Sequence, residues 1–374
     1  MVLNKVVSGI VLVSAVGAVS AQETIVKIGH SAPLSGAQAF AGKDNENGVR
    51  LAIEELNAKP ITVAGKKIKF ELVSEDDQAD PKAGVTVAQK LIDAGVKFVA
   101  GPYNSGVTMP ASRAYNDAGV VVATVSSNPK ITQQGYKNLF RVAANDSQIG
   151  GNMALYAAKD LKMKVVAIID DRTAYGQGVA DEFLKQAKHS GMQVVAREFT
   201  NDKATDMTSI LTKLKSKNVD AIFFGGYTPQ GAPLLRQMKQ LGITAKVLGG
   251  DTICTPELGR VGGDAVDGNV FCAQGGAILD KAATGPIFKA KYKKRYNQEA
   301  DVYAASYYDA VMLISTAMLK SGSIDPEKVG QEMSKISYKG VAGTYAFDEK
   351  GDMKKSPVTV FSFKNGQPVA ITSY

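Results

Sequence analysis

Few side chains in this sequence are suited to acid–base or metal chemistry. Its two histidines are His30, which ends an apolar stretch, and His189, which lies late in a polar segment. We expect both to be structural, although a contact between His30 and a ligand stays open. The acidic stretch 75–80 would suit a cation, but Asp80-Pro81 is more typical of a helix start. We therefore predict no metal site and no catalytic group.

Cofactor-binding motifs are also missing. The sequence has no Gly-x-x-x-x-Gly-Lys-Ser/Thr phosphate loop, and its first predicted strand runs into 33–36, Pro-Leu-Ser-Gly, instead of a dinucleotide fingerprint. Glycine pairs at 225–226 and 249–250 indicate tight strand ends, where the backbone can approach a ligand. We expect no cofactor and no enzyme, and a cofactor-dependent α/β enzyme is the chief alternative from another class.

Polar and aromatic side chains stand at several predicted strand ends. Ser105 follows a short apolar strand and precedes a helix, where N–H groups and the helix dipole favour an anion. Asp251 ends a Gly-Gly-Asp loop, and Tyr175 and Tyr227 each lie beside a glycine. Taken alone, Ser105 is better explained as a helix cap, and Asp251 can equally cap a turn.

Short β-branched runs alternate with longer amphipathic ones from Ile25 onwards, which predicts an α/β fold of two doubly wound, Rossmann-like units. The first half predicts strands at 25–29, 68–74, 97–100 and 120–124 and helices at 47–57, 81–94 and 110–117. The second half predicts strands at 165–169, 193–199, 221–224, 247–249 and 270–273 and helices near 148–161, 177–189, 206–217 and 232–241. The tail predicts helices at 282–296 and 302–320, a third from 326, and a hairpin of 343–347 with 358–363.

The first residues predict export. Lys5 precedes an apolar run over 6–19 and small residues that end at Ala21, the pattern of a cleaved signal peptide over 1–21. The run is shorter than the roughly 20 residues that span a bilayer, and no cysteine near the cut would carry a lipid. We predict a periplasmic protein without a membrane anchor.

Charge and cysteine content narrow the possible partners. The net charge of +8 is spread along the chain without an arginine cluster, so we expect no nucleic-acid partner. Cys254 and Cys272 are the only cysteines, and an even number in an exported chain favours a disulfide. Two buried thiols remain the alternative, and a metal site is a poor one because no histidines lie nearby.

Several landmarks in a fixed order resemble the periplasmic Leu/Ile/Val-binding protein family of ABC importers, from about Thr24 to Phe363. They are the segments 33–36, 75–77, 80–81, 101–110, 128–132, 175–176, 225–227, 249–251, 338–340 and 347–348. The resemblance implies the type I periplasmic-binding fold, with two lobes joined by several chain crossings and a ligand in the cleft between them. We place residues 22–141 with about 274–348 in one lobe, and 142–273 with about 349–374 in the other.

The resemblance also implies a role for each candidate residue. Ser105 would bind the ligand carboxylate, and Asp251 its ammonium, although the family usually has Glu at the position of Asp251. Ser126 or Ser127 would add a hydroxyl, and the sequence leaves open which. Further walls of the pocket would come from Tyr175, Tyr227, Phe40 and Tyr103.

The function that follows from the resemblance is capture of an amino acid, with a branched-chain aliphatic one such as leucine favoured, and its delivery to an inner-membrane ABC permease. We expect a monomer. A small amide or organic acid is the alternative ligand, because the shorter acid at Asp251 departs from the family pattern. A signalling receptor is the alternative partner.

Overall fold

Two sheets of mostly parallel strands organise the computed structural model, which describes residues 23–374. The first sheet has six strands and the second has seven, with helices packed against both. This is the α/β class that the alternation of strands and helices predicts. The predicted signal peptide, residues 1–21, lies outside the described residues.

The first sheet is built from the first 120 or so described residues and is parallel except at its β2 edge, in the order β2-β3-β1-β4-β5-β6. Its strands are β1 (Glu23–Ala32), β2 (Thr62–Val63), β3 (Lys66–Asp76), β4 (Phe98–Ala100), β5 (Val121–Thr124) and β6 (Leu139–Arg141). Its helices are α1 (Ala39–Ala58), α2 (Pro81–Asp93) and α3 (Ser105–Asp117). The short strands β4 and β5 are wholly buried and, except for Thr124, apolar, as expected for strands covered on both faces.

The second sheet has a parallel core and two antiparallel strands at one edge, in the order β15-β14-β11-β10-β9-β7-β8. Its parallel strands are β7 (Val165–Asp170), β8 (Gln193–Phe199), β9 (Ala221–Gly225), β10 (Lys246–Gly249) and β11 (Val270–Gly275). Its helices are α4 (Asp146–Lys159), α5 (Ala174–His189), α6 (Thr208–Lys215), α7 (Thr228–Gln240) and α8 (Pro256–Gly262).

The tail divides between the two sheets. Its elements are α9 (Gly285–Tyr296), α10 (Ala304–Ser321), α11 (Pro326–Met333), β12 (Tyr338–Lys339), β13 (Thr344–Tyr345), β14 (Val358–Lys364) and β15 (Gln367–Ser373). Helix α10 packs against α1 beside the first sheet, whereas β14 and β15 complete the second. The exact lobe boundaries stay a prediction.

The predicted hairpin of 343–347 with 358–363 is wrong. Strand β13 pairs with β12, and β14 pairs with β11 and β15. The physical reason is the turn Asn365-Gly366, in which both residues have positive φ, of 53° and 69°. Such an Asn-Gly turn favours a tight two-residue hairpin, and it directs β14 towards β15.

The first turns of helices α2 and α3 determine where Asp80 and Ser105 lie. The Asp80 carboxylate accepts hydrogen bonds from the N–H groups of Lys82 and Ala83, with Pro81 in the first turn, so the predicted cap is confirmed. The predicted start of α3 at Pro110 is wrong, because Pro110 lies inside the helix and Ser105 is its first residue. Ser105 therefore lies at the positive end of a helix and not in a loop.

The second sheet also brings the two cysteines together. Their Cα atoms lie 5.6 Å apart, within the range that a disulfide requires, and both side chains are buried. Cys254 follows β10 and Cys272 lies in β11. Within residues 23–374, none of the helices combines the length and the apolar character needed to cross a bilayer.

Candidate ligand-binding site

Loops at the carboxyl ends of both sheets meet around a small cavity of about 10 Å³. Parallel α/β sheets generally place their binding sites at this edge. The side chains around the cavity are buried and mostly polar or aromatic. The lining residues are Tyr103, Ser105, Val125, Ser126, Ser127, Tyr175, Tyr227, Asp251, Thr252 and Tyr303.

All of the residues predicted for the site line this cavity except Phe40. Phe40 lies in the first turn of α1 and is half-buried, apart from the cavity-lining residues. Phe40 precedes the helix predicted at 47–57, but α1 already begins at Ala39 and fixes this side chain on a helix. His30 is fully buried beside the carbonyl oxygen of Ala100, 2.6 Å from its Nδ1, and is likewise outside the lining.

Asp251 is the acidic group of the cavity. Its side chain is only 2 % exposed, and both of its carboxyl oxygens accept hydrogen bonds from tyrosine hydroxyls. Tyr175 donates to Oδ1 over 2.7 Å, and Tyr303 donates to Oδ2 over 2.5 Å. Burial raises the pKa of Asp251, and the bonds from Tyr303 and Tyr175 oppose that rise. The two tyrosines thus orient a carboxylate that water does not reach.

Sequence reasoning missed Tyr303. It stands 52 residues from Asp251 along the chain, directly before α10, and packs edge-on against Tyr103 with ring centres 6.3 Å apart. An aromatic residue before a long apolar helix is usually a core residue, so no local pattern marks it as a site residue. Thr252 was also missed, although its position next to Asp251 was a usable signal.

The two adjacent serines have different surroundings. The Ser126 hydroxyl lies 2.6 Å from Thr108 Oγ1 and donates to the carbonyl oxygen of Tyr103 over 2.8 Å. Its backbone carbonyl accepts a hydrogen bond from Arg141. The Ser127 hydroxyl lies instead beside the carboxyl group of Asp146. Ser126 is therefore tied to the first sheet by its own hydrogen bonds.

The opposite wall of the cavity suits an anion. Ser105 begins α3, and the first N–H groups of a helix have no partner within that helix. The Ser105 hydroxyl accepts a long hydrogen bond, 3.3 Å, from the N–H of Asn128, and its own proton remains available to donate. This helix end and the Asp251 carboxylate give the cavity one anion-binding and one cation-binding wall.

The predicted acidic stretch 75–80 is engaged within the first sheet. Asp76 accepts a hydrogen bond from the N–H of Leu34 over 2.8 Å, and Asp77 accepts one from Ser31 over 2.7 Å. Among residues 23–374, no group of three or more His, Cys, Asp or Glu side chains is arranged to hold a metal ion. These carboxylates therefore serve turns and caps.

A family model described as periplasmic binding protein matches residues 25–368, nearly the whole described chain. The chain belongs to this family. Members of the family are binding proteins, and the two doubly wound sheets of this periplasmic binding protein have the type I architecture that its sequence predicts.

Curated relatives agree with this assignment. The periplasmic binding protein is 35 % identical over 361 residues to Leu/Ile/Val-binding protein homolog 1 of Brucella abortus, and the match covers 96 % of each chain. It is 34 % identical over 343 residues to the leucine-, isoleucine-, valine-, threonine- and alanine-binding protein of Pseudomonas aeruginosa, with 90 % of each chain covered.

Among solved structures, the leucine-binding protein of Thermotoga maritima superposes with a TM-score of 0.86 at 31 % identity. That match covers 93 % of this chain and 98 % of the other. The periplasmic binding protein therefore shares its whole two-sheet arrangement with a solved relative.

Proposed function

We propose that this periplasmic binding protein captures a branched-chain aliphatic amino acid in the cavity between its two sheets and delivers it to an ABC permease. The observation that carries the proposal is the buried Asp251 carboxylate, which is held by two tyrosine hydroxyls and lines the same cavity as Ser105 at the start of α3. An α-amino acid carries an ammonium and a carboxylate on neighbouring atoms, so it matches this pair of walls. The relatives named for leucine, isoleucine and valine support the aliphatic side chain.

Each polar group then has a role in binding. Ser105 and the first N–H groups of α3 bind the ligand carboxylate, and Asp251 binds the ammonium. The Ser127 hydroxyl, rather than that of Ser126, gives the additional contact, because Ser126 is engaged by Thr108 and backbone carbonyls. Asp251 has one methylene less than the family's usual Glu, and its bonds to Tyr175 and Tyr303 compensate by fixing its position.

The energies of such contacts are sufficient for tight capture. Burying a branched aliphatic side chain contributes roughly 1.5–3 kcal/mol, and each hydrogen bond to a charged group about 1.5–3 kcal/mol. After the cost of closure, several of these reach the roughly −8 kcal/mol of a micromolar complex.

Binding is coupled to closure because the ligand bridges the two sheets. Its carboxylate is held from α3 beside the first sheet, and its ammonium by Asp251 beyond β10 of the second. A ligand that makes both contacts only in the closed form shifts the population towards that form. The permease then meets a closed, loaded protein.

The predicted signal peptide and the family support the remaining features of the proposal. We place the protein in the periplasm as a monomer without enzymatic activity, with Cys254 and Cys272 joined by a disulfide. A sensor role, in which the loaded protein docks to a signalling receptor, is the alternative partner hypothesis.

Calorimetric titration of refolded, ligand-stripped protein lacking residues 1–21 tests the ligand class. The titrants are leucine, isoleucine, valine, alanine, glutamate, phenylalanine and urea. We expect micromolar or tighter binding of an aliphatic amino acid and none of urea. Failure of every amino acid with a folded protein would remove the zwitterion site and favour amides or organic acids.

A further inference from the structure

A second buried carboxylate lies next to the cavity without a role in the contacts described so far. Asp146 is the first residue of α4, and its side chain is 0 % exposed. Among the described residues, neither of its carboxyl oxygens has a hydrogen-bond partner in good geometry. A buried carboxylate in this state is costly, so a functional reason for it is worth seeking.

The position of Asp146 places it at the junction of the two sheets. The loop that follows β5 covers it from one side, and the N–H of Asp146 donates to the carbonyl oxygen of Ser127 over 2.8 Å. Helix α5 covers it from the other side, where Gly178 leaves so little room that an added Cβ would lie 2.4 Å from Asp146 Oδ2. That same Cβ would lie 2.5 Å from Asn128 Nδ2, so first-sheet and second-sheet residues meet at this point.

Groups on several neighbouring elements change the pKa of Asp146. The pKa of Asp146 is raised to about 8, chiefly by burial; the Ser127 hydroxyl opposes this rise, and the negative charge of Asp251 adds to it. Arg141 lowers the pKa and Glu182 on α5 raises it. Since α4 starts at Asp146, its dipole also favours the charged form, but burial outweighs that effect.

Arg141 does not neutralise Asp146. Its guanidinium forms an ion pair with Asp352 over 2.5 Å and donates to the Asn128 carbonyl over 3.0 Å and to Thr132 Oγ1 over 3.1 Å. Asp146 and Asp251 are consequently two acidic side chains near Ser127, and within residues 23–374 neither forms an ion pair with a basic side chain.

We propose that Asp146 is a specificity-determining positioning residue that opposes closure of the cleft unless the ligand brings a positive charge. The inference rests on the proposed function, because it takes the ligand ammonium to lie between Ser127 and Asp251. Closure without an ammonium either buries two like charges or forces Asp146 to take up a proton, whereas an ammonium attracts both carboxylates and lets the Ser127 hydroxyl donate a hydrogen bond to a charged Asp146. Ligand-free protein is thereby held open, and carboxylates that lack an amino group are rejected.

The sign of the pH dependence follows from burial. The proposal takes Asp146 to be hydrated in the open form, with a pKa near the ordinary value of about 3.9, whereas in the structure described above its pKa is raised to about 8. Closure without an ammonium therefore takes up a proton, and the closed form loses stability as the pH rises from about 4 to about 8. Burial raises the pKa of Asp251 as well, so Asp251 changes the stability of the closed form with pH in the same direction. The contribution of Asp146 is therefore measured as the difference between wild type and an Asp146 variant.

Leucine and 4-methylpentanoate, which differ only by the amino group, test the proposal in wild type and in Asp146→Asn. We expect the preference for leucine to fall by about tenfold or more in the variant, the effect of one pKa unit. Binding of 4-methylpentanoate should weaken between pH 6 and pH 8 in wild type and respond less to pH in the variant.

Asp77→Asn is the matched control, because Asp77 is a buried carboxylate of raised pKa that does not line the cavity. It should change the unfolding temperature but leave the leucine preference and its pH profile as in wild type. An unchanged preference and pH profile in Asp146→Asn, with only a stability shift, would overturn the proposal. Asp146→Ser replaces the asparagine variant if that one does not fold.

A measurement without ligand separates this proposal from the proposed function. Small-angle scattering of ligand-free protein should show a smaller radius of gyration at pH 5 than at pH 8, and Asp146→Asn should be the more compact protein at pH 8. Equal radii for wild type and variant at both pH values would contradict a role in closure. If no amino acid binds wild type, the proposed function fails, while the scattering still decides the role of Asp146.

Discussion

Asp251 shows how single residues set the chemistry of the cavity. Its two oxygens are each bonded to a tyrosine hydroxyl, so the carboxylate has one orientation before any ligand is considered. Hydrogen bonds of this kind are charge-assisted and are strong in a site that excludes water. The ammonium of a ligand then adds a third partner to a group that is already held in place.

Removing the carboxylate should weaken binding more than removing one of the hydrogen bonds that hold it. We expect Asp251→Ala to weaken amino-acid binding by roughly 2–5 kcal/mol, the scale for one member of a buried charge pair. Tyr303→Phe keeps the ring and loses one hydrogen bond to a charged group, so it should cost about 1.5–3 kcal/mol at most. Calorimetric titration measures the affinity of both variants. Tyr175→Phe, which removes the other tyrosine hydrogen bond to Asp251, is the matched comparison for Tyr303→Phe. Near-wild-type affinity in Asp251→Ala would contradict the ammonium assignment.

The residues of the site differ in how far sequence could predict them. Ser105, Tyr175, Tyr227 and Asp251 were predictable through the resemblance to the Leu/Ile/Val-binding family, because the strand-end pattern alone explains Ser105 better as a helix cap. Tyr303 was not, since its contact with Asp251 joins segments 52 residues apart and depends on how α10 packs on α1.

At the scale of elements, the loop after β10 determines where Asp251 lies. It turns through a short 3₁₀ segment, Asp251–Ile253, and reaches Cys254, which lies next to Cys272 in β11. Since β10 and β11 are neighbours in the sheet, a bridge between these cysteines would fix the far end of the ligand-binding loop.

Thiol labelling tests that bridge. In an exported protein with the two Cα atoms 5.6 Å apart, we expect Cys254 and Cys272 to react with a maleimide only after both unfolding and reduction. Unfolding alone exposes the buried side chains and serves as the control for accessibility. Labelling of both residues in unfolded, unreduced protein would show two free thiols.

The order of strands and helices was largely predictable, and their edges were not. Alternating apolar runs identified the long strands, but β6 is only three residues long and joins the sheet because β5 offers it a partner. Helix α3 begins before Pro110 although proline has no backbone N–H to donate within the helix. The loss of that one hydrogen bond is tolerated because the flanking turns of the helix are packed. The Asn365-Gly366 turn is local and was a usable signal for the final hairpin.

At the scale of the whole molecule, closure brings side chains of one sheet against the backbone of the other. The Asn128 amide donates to the carbonyl oxygen of Ala174, at the start of α5, over 2.6 Å. The same side chain caps a 3₁₀ turn by accepting a bond from the N–H of Lys130. Asn128 thus stabilises both a local turn and the closed form.

Asn128→Ser should separate these two tasks. Serine keeps the cap but is too short to reach α5, so the closed form loses a hydrogen bond of about 0.5–1.5 kcal/mol. We expect ligand affinity to fall by up to about tenfold with little change in unfolding temperature. Calorimetry and thermal unfolding measure the two effects, and a large loss of stability with unchanged affinity would refute this separation.

The ring of tyrosines around the cavity has a practical consequence for optical work. The chain contains 14 tyrosines and no tryptophan, so its intrinsic ultraviolet emission comes from tyrosine alone. Tyr103, Tyr175, Tyr227 and Tyr303 line the cavity, so the proposed closure on a ligand would change their solvation and alter a signal with no indole background. A single tryptophan introduced at the rim would be the sole red-shifted emitter, which makes this scaffold suitable for a label-free fluorescent sensor.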